Sequence, residues 1–254
     1  MPQNNKLVIT EKPSVAKAYA DVLGTRGKQD GYFSGNGYLI SWCVGHLVEL
    51  VMPQDYDEKY RKWLAEDLPI IPERWKYRVT VSTRKQFHIL EKLMKRKDVR
   101  EILCATDAGR EGELIFRLVY LKAGCKKPFR RIWISSMEDT AIRDAFANPR
   151  PGADYDKLYE AARCREQADW IVGINATRLF SCLYHETLNI GRVMTPTLSM
   201  VAEREAEILK FVPEPYHVVR ITADGTAFDS RKTAEPATGI DGEKQLQVKR
   251  LVNF

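Results

Sequence analysis

The 254-residue sequence predicts an α/β domain with a largely parallel sheet, followed by an all-helical segment and the start of a β-rich one. Three observations predict this. From residue 6 to about 150, short apolar runs alternate with amphipathic patterns of helical period, which implies strands joined by helical crossovers. From 155 to 211 strand-like alternation is absent. After Pro213-Glu214-Pro215 it returns at 216–223, with Asp224-Gly225 as a hairpin turn.

Taken in order, strands are expected at 7–10, 39–43, 78–82, 102–106 and 131–135, and helices at 13–23, 84–97, 111–122 and 137–147. Pro13 suits a first helical turn, where its missing N–H would have no acceptor, and the Ala-rich stretch behind it continues the helix. In 84–97, Phe87, Leu90, Leu93 and Met94 form one apolar stripe. Ser135-Ser136 is read as an N-cap for 137–147, and Asn148-Pro149-Arg150-Pro151-Gly152 as a stop. The domain boundary is placed there, giving segments 1–150, 151–213 and 214–254.

The second segment reads as a helix over 154–185, with a break near Gly173, and another running to Leu209. Thr195 is the expected N-cap of the latter and Pro196 its first residue, with Leu198, Val201, Ile208 and Leu209 as a buried face. Residues 232–242 read as a loop and 246–252 as a further strand; alone, these edges would be unpaired.

A 44% hydrophobic content is enough to fill a core. No apolar run approaches 18 residues, and residues 1–6 lack the build of a signal peptide, so no membrane association is expected and a cytoplasmic protein is. Five widely spaced cysteines, Cys43, Cys104, Cys125, Cys164 and Cys182, predict reduced thiols and argue against both zinc and a disulfide framework. The net charge of +6 is compatible with a polyanionic partner, and basic residues cluster in 84–100, 126–131 and 163–192.

The chemistry concentrates in Asp107-Ala108-Gly109-Arg110-Glu111-Gly112-Glu113, where the strand 102–106 hands over to a helix. In open α/β sheets functional groups gather outside the carboxyl ends of strands, and Mg²⁺ takes a few carboxylate oxygens together with water and phosphate. Alternatively, Glu111 and Glu113 simply favour the positive end of the following helix. A second acid, Glu11, leaves the first strand at the same relative place and is followed by Lys12. If the two strands are neighbours, both acids converge on one metal.

Glu11-Lys12-Pro13-Ser14, Gly35-Asn36-Gly37, Cys43-Val44-Gly45-His46-Leu47, the run 107–113 and Gly191-Arg192-Val193-Met194-Thr195-Pro196-Thr197-Leu198 follow one another in an order that resembles the type IA DNA topoisomerases, closest to the topoisomerase III branch. The resemblance covers residues 6 to about 220. It implies a Toprim domain, Rossmann-like in its sheet, followed by a helical domain that binds single-stranded DNA and the start of a β-rich domain. It further implies cleavage of one strand by a tyrosine, giving a 5′-phosphotyrosine, then strand passage and religation without ATP. Consistent with that, the sequence holds no Gly-x-x-x-x-Gly-Lys-Ser/Thr.

In these terms Glu11, Asp107 and Glu111 are the expected Mg²⁺ ligands, and Glu11, Lys12 and Arg110 the expected catalytic groups. His46, Tyr60, Arg165, Arg178 and the turn Asn189, Ile190, Gly191, Arg192, Val193 and Met194 are the expected DNA contacts. Arg110 either offsets repulsion between the acids or touches phosphate. His46 either approaches DNA or is structural, and Tyr60 with Trp63, amid Lys59, Arg61 and Lys62, is either a single-strand platform or a packed surface segment. Single arginines of the helical segment have an alternative reading too, as surface residues paired with Glu160, Glu166 or Asp169.

Two departures from the family pattern stand out. Gly109 occupies a position where an aspartate is usual, and Met194 one where glutamine is usual. In addition, none of the eleven tyrosines lies in a Ser-Tyr-x-Arg-Thr segment, so no nucleophile is assigned and the chain is expected to bind metal and single-stranded DNA without cleaving. The alternatives are a non-catalytic single-strand-binding module and a Toprim-type nuclease or primase in which metal-bound water replaces the tyrosine.

Overall fold

The structure, a computed structural model, describes residues 4–213 and 220–229. In chain order its elements are β1 (Asn5–Thr10), α1 (Pro13–Val22), β2 (Gly27–Gln29), β3 (Tyr32–Gly35), β4 (Tyr38–Trp42), β5 (Val48–Leu50), β6 (Tyr77–Val79), α2 (Arg84–Lys95), β7 (Val99–Ala105), α3 (Arg110–Lys122), β8 (Phe129–Arg131), α4 (Asp139–Ala147), β9 (Arg150–Pro151), α5 (Asp156–Tyr184), α6 (Met194–Leu209), β10 (Arg220–Ala223) and β11 (Thr226–Asp229). Short 3₁₀ turns fill much of 53–67 and precede α2 and α5.

Seven strands form one sheet in the order β2-β3-β4-β1-β7-β8-β9. The central four, β4, β1, β7 and β8, are parallel, and antiparallel strands close both edges. The expected α/β class with a largely parallel sheet is therefore present. Continuous apolar runs along the central strands explain its burial on both faces. Leu7, Ile9, Leu39, Ile102 and Cys104 face α2 and α3, joining Phe87, Leu90, Met94, Leu114 and Leu118. Val8, Ile40, Leu103 and Ala105 face the other way, onto Ala16, Tyr19, Ile142 and Phe146 of α1 and α4. Each fully buried Leu or Ile contributes about 1.5–3 kcal/mol, so these two layers dominate the stability.

Several local expectations are corrected. The strand expected at 78–82 is Tyr77–Val79 and pairs with β5 outside the main sheet. The one expected at 131–135 is Phe129–Arg131; beyond it a single ladder bond, from Ile132 N–H to Cys104 O at 2.9 Å, remains before the chain leaves the sheet. Ser135 and Ser136 do not cap α4. Its N-cap position is Glu138, and Ser136 Oγ instead accepts from Glu138 N–H at 3.3 Å, closing the turn before the helix. No break occurs at Gly173, because α5 runs unbroken for 29 residues.

The turn before α6 also differs from expectation. α6 begins at Met194, so Thr195 and Pro196 lie inside its first turn, and Thr195 Oγ1 accepts from Gly191 N–H at 3.1 Å rather than capping a helix N–H. Pro196 is tolerated there because a first-turn N–H has no helical acceptor. The expected buried face is open: Leu198, Val201, Ile208 and Leu209 are all exposed.

Packing divides the chain into a unit ending at Thr195 and a unit starting at Pro196. Thus α5 belongs with the sheet layer, packing on α3, and the Pro-rich stretch 148–152 is a corner within the first unit. In the second unit β10 and β11 form the antiparallel hairpin expected at Asp224-Gly225, with both turn residues at positive φ. The loop expected at 232–242 and the strand expected at 246–252 lie outside the described residues.

Candidate functional site

β1 lies between β4 and β7, all three parallel, with Thr10 beside both Trp42 and Ala105. Their carboxyl ends therefore emerge side by side. This is the switch point of the sheet, since the chain leaves β1 toward one side and later returns on the other. β1 delivers Glu11 and Lys12, β7 delivers Asp107 and, through the start of α3, Arg110 and Glu111. The loop after β4 delivers His46, with Gly45 at φ +77° making the turn.

Lys12 Nζ bridges the two strand ends, 3.2 Å from Asp107 Oδ2 and 3.8 Å from Glu11 Oε1. Its hydrogen bond to Asp107 and the neighbouring negative charges raise its pKa, so it stays an ammonium. Two carboxylates of adjacent strands thus already share one cationic point. Glu111 turns the other way, 3.8 Å from His46 Nε2. Among the described residues no three His, Cys, Asp or Glu side chains are gathered as a metal cluster. A pair of carboxylates nonetheless fits the way Mg²⁺ is usually held, by one or two acids with waters and substrate phosphate. Arg110 makes no hydrogen bond or ion pair with any described residue and is exposed at the start of α3.

Beneath this loop lies a charge network that sequence reasoning missed. Arg131 ends the basic cluster 126–131 and opens the strand expected at 131–135, yet its charged side chain is 0% exposed. Its guanidinium donates to the carbonyls of Cys104, Thr106 and Ile132 at 2.8–3.2 Å and to Asp107 O at 2.7 Å. Its Nε faces Glu113 Oε2 at 3.2 Å, an ion pair between two fully buried residues that lacks hydrogen-bond alignment. Glu113 Oε1 accepts from Arg117 Nε at 2.8 Å, and Arg117 reaches on to Asp156 at 2.7 Å. Thr106 Oγ1 donates to Gly112 O at 2.7 Å. The only sequence signal was the spacing of Glu113 two residues beyond Glu111, which puts the two acids on different sides of α3.

Two glycines of the motif play opposite parts. A Cβ at Gly112 would stand 2.1 Å from Asp107 O, so only glycine lets the acidic loop fold back onto α3. Gly109 has an extended backbone that any residue adopts, and a Cβ there would meet nothing within 4 Å. Nearby, burial and the charge of Asp107 push the Tyr19 phenol up to about 12, keeping it neutral.

The remaining candidates lie along α5 and the segment packed on it. Asn175 clamps that segment, with Oδ1 accepting from Ile70 N–H at 2.6 Å and Nδ2 donating to Ile70 O at 2.9 Å. Tyr60 is half-buried under Lys59, whose ammonium lies 4.8 Å from the ring centre. Arg192 is tied to Asp169, with Nη2 to Oδ2 at 3.3 Å, and Arg165 approaches the same carboxylate at 3.9 Å. These bonds hold the Asp169 carboxyl below its usual range and raise Arg192. The turn 189–194 is further fixed by Thr177, whose Oγ1 accepts from Ile190 N–H at 2.9 Å. Asn189, Val193 and Met194 are exposed. A Cβ at Gly191 would find its nearest neighbour at 3.8 Å, so close packing does not demand glycine there. Arg178 is only 4% exposed and lies over the Trp63 ring at 5.4 Å.

The Toprim domain family model matches residues 6–137, and the DNA topoisomerase model matches 153–252. A protein named DNA topoisomerase 3 from Shouchella clausii is 47% identical over 248 residues, covering 96% of this chain and 34% of that protein. The Bacillus subtilis protein of that name is 48% identical over 219 residues, covering 86% and 30%. Full-length topoisomerase I from Thermotoga maritima superposes with a TM-score of 0.58 at 27% identity, covering 89% of this chain and 35% of that one. The chain spans about a third of the length of these relatives.

Proposed function

The chain belongs to the Toprim family, here joined to a DNA topoisomerase region as in the type IA enzymes, and on that premise we propose that it serves Mg²⁺-dependent, ATP-independent single-strand cleavage, strand passage and religation. The observation that carries the reading is the meeting of Glu11, Asp107 and Lys12 where the parallel strands β1 and β7 end together. Glu11 and Asp107, joined by Glu111 once it swings from His46 toward them, would hold Mg²⁺, which supplies positive charge against a DNA phosphate. Lys12 and the unpaired Arg110 add positive charge at the same edge. The half-buried Tyr60, Arg165, Arg178 and the turn 189–194 line the path of a single strand.

In this reading, 1–150 is the Toprim domain, 151–213 the single-strand-binding helical domain and 214–254 the beginning of a β-rich domain. The 254-residue chain binds single-stranded DNA without forming a covalent bond to it, because no Ser-Tyr-x-Arg-Thr segment is present. A mobility-shift assay with a single-stranded oligonucleotide, followed by denaturation, tests this. A shift that disappears on denaturation is expected. An adduct that survives would refute it, and shortened products would favour a nuclease. Arg192→Ala is expected to weaken binding across sequences and to reduce the slope of log affinity against log salt by about 0.7; an unchanged slope removes Arg192 from the phosphate contacts.

A further inference from the structure

Arg178 presents an unresolved charge. Its side chain is buried, yet it forms no hydrogen bond or ion pair with any described residue, and Trp63 is its ring partner. Asp67 acts on it through space but lies by Lys59, 4.0 Å away. Burial lowers the pKa of Arg178, and the charge of Asp67 offsets that only in part. A buried guanidinium is costly to keep in that state unless an anion reaches it.

The same tryptophan walls a recess. Trp63 stays 41% exposed and, with Ser181, Cys182, His185, Glu186 and Thr187, lines a cavity of about 280 Å³. Ser181 and Cys182 follow Arg178 by three and four residues on α5, hence on the same face. The recess is held open by the fold. Cys182 Sγ donates to Trp63 O at 3.4 Å, Ser181 Oγ accepts from Leu188 N–H at 2.9 Å, and His185 at φ +56° turns the chain so that 185–187 form the rim.

We propose that this recess is a nucleobase subsite, in which one base of a single strand stacks on Trp63 while its neighbouring phosphate is neutralised by Arg178. The indole supplies a π-face that every base can use. His185, Glu186 and Thr187 offer donors and acceptors to the edge of the base. Glu186 repels phosphate from the rim, so the backbone runs on the Arg178 side. The proposal rests on the reading of the chain as a single-strand binder and adds to it a place where a base, not only the backbone, is gripped.

Fluorescence anisotropy with a labelled oligothymidylate, and with the same strand made abasic, tests it on the full chain. Wild type is expected to prefer the strand with bases. Trp63→Leu, which packs without a π-face, is expected to lose about 5- to 150-fold of affinity for that strand and to abolish the preference. Trp63→Phe, which keeps a ring, should retain both within a few-fold. Arg178→Gln should weaken both strands alike and lower the salt slope. If wild type binds oligothymidylate but Trp63→Leu binds it equally well, with the preference for bases intact, the subsite is refuted and single-strand binding stands. Absence of binding by wild type refutes both. Thermal melts accompany each variant, and Trp63→Phe at wild-type stability with lost preference would also count against the subsite.

Discussion

Arg131 and Arg178 are both arginines that the chain takes out of water, and they could hardly be treated more differently. Arg131 donates to four carbonyl oxygens and faces a buried carboxylate, while Arg178 lies over a tryptophan ring and forms no hydrogen bond or ion pair with any described residue. The first is scaffolding: its bonds end on the backbone of 104–107 and on Ile132, which fixes where β7 releases Asp107. The second is unfinished, and an unfinished buried charge points to a partner that arrives from outside. A buried arginine is thus read by its partners, not by its burial.

The comparison is tested most severely by breaking the Arg131 network. Glu113→Ala leaves Arg131 and Arg117 without their shared carboxylate and is expected to cost about 3–5 kcal/mol. For a chain of this size that lowers the thermal midpoint by roughly 6–20 °C in a calorimetric melt. A loss under about 1 kcal/mol would mean that the carbonyl bonds alone hold Arg131. Next in size is Gly112→Ala, whose Cβ would collide with the Asp107 carbonyl to which Arg131 donates. An overpacking cost of about 1–3 kcal/mol is expected, together with weakened Mg²⁺ binding by titration calorimetry. Unchanged stability would show that the loop has room to move.

Arg178→Met supplies the contrast. Replacing a charge that has only a ring partner with an apolar chain of similar reach should shift stability by no more than about 1 kcal/mol in either direction. A loss as large as that of Glu113→Ala would place Arg178 with Arg131 as scaffolding. The smallest effect concerns Glu166, half-buried on α5 and accepting from Tyr77 Oη–H at 3.0 Å. Burial is the main cause that raises its pKa above the ordinary 4.5. A carboxyl whose folded pKa is raised binds its proton more tightly when folded, so its contribution is full below pH 4.5 and declines as pH rises through the folded value. Glu166→Gln should therefore melt slightly higher than wild type at neutral pH and equally near pH 4. A difference that is the same at both pH values would trace the effect to packing.

What could be read from the residues follows the range of the forces involved. The apolar runs at 7–10 and 102–106 and the stripe Phe87, Leu90, Leu93 and Met94 are local patterns, and each lies in an element of the expected type. That Glu11 leaves β1 and that Asp107 and Glu111 follow β7 was legible because strand ends are local as well. Caps were less so: Ser136 and Thr195 have the right chemistry for capping, but both side chains bond within the preceding turn. The edges β2, β3 and β9 went unseen because three short runs carry little period of their own.

By itself, then, the sequence determined the α/β class, the continuous apolar runs that bury the sheet on both faces, and the acids that leave β1 and β7. Only the tertiary structure decided that β1 sits between β4 and β7, which brings Lys12 to Asp107 and His46 to Glu111. It also decided that Arg131 is internal, that Asp169 holds Arg192, and that Arg178 is buried against Trp63. The reason is physical. Periodicity and turn chemistry act over a few residues and are written in order along the chain, whereas the partner of a charge is set by which strands and helices the fold lays side by side.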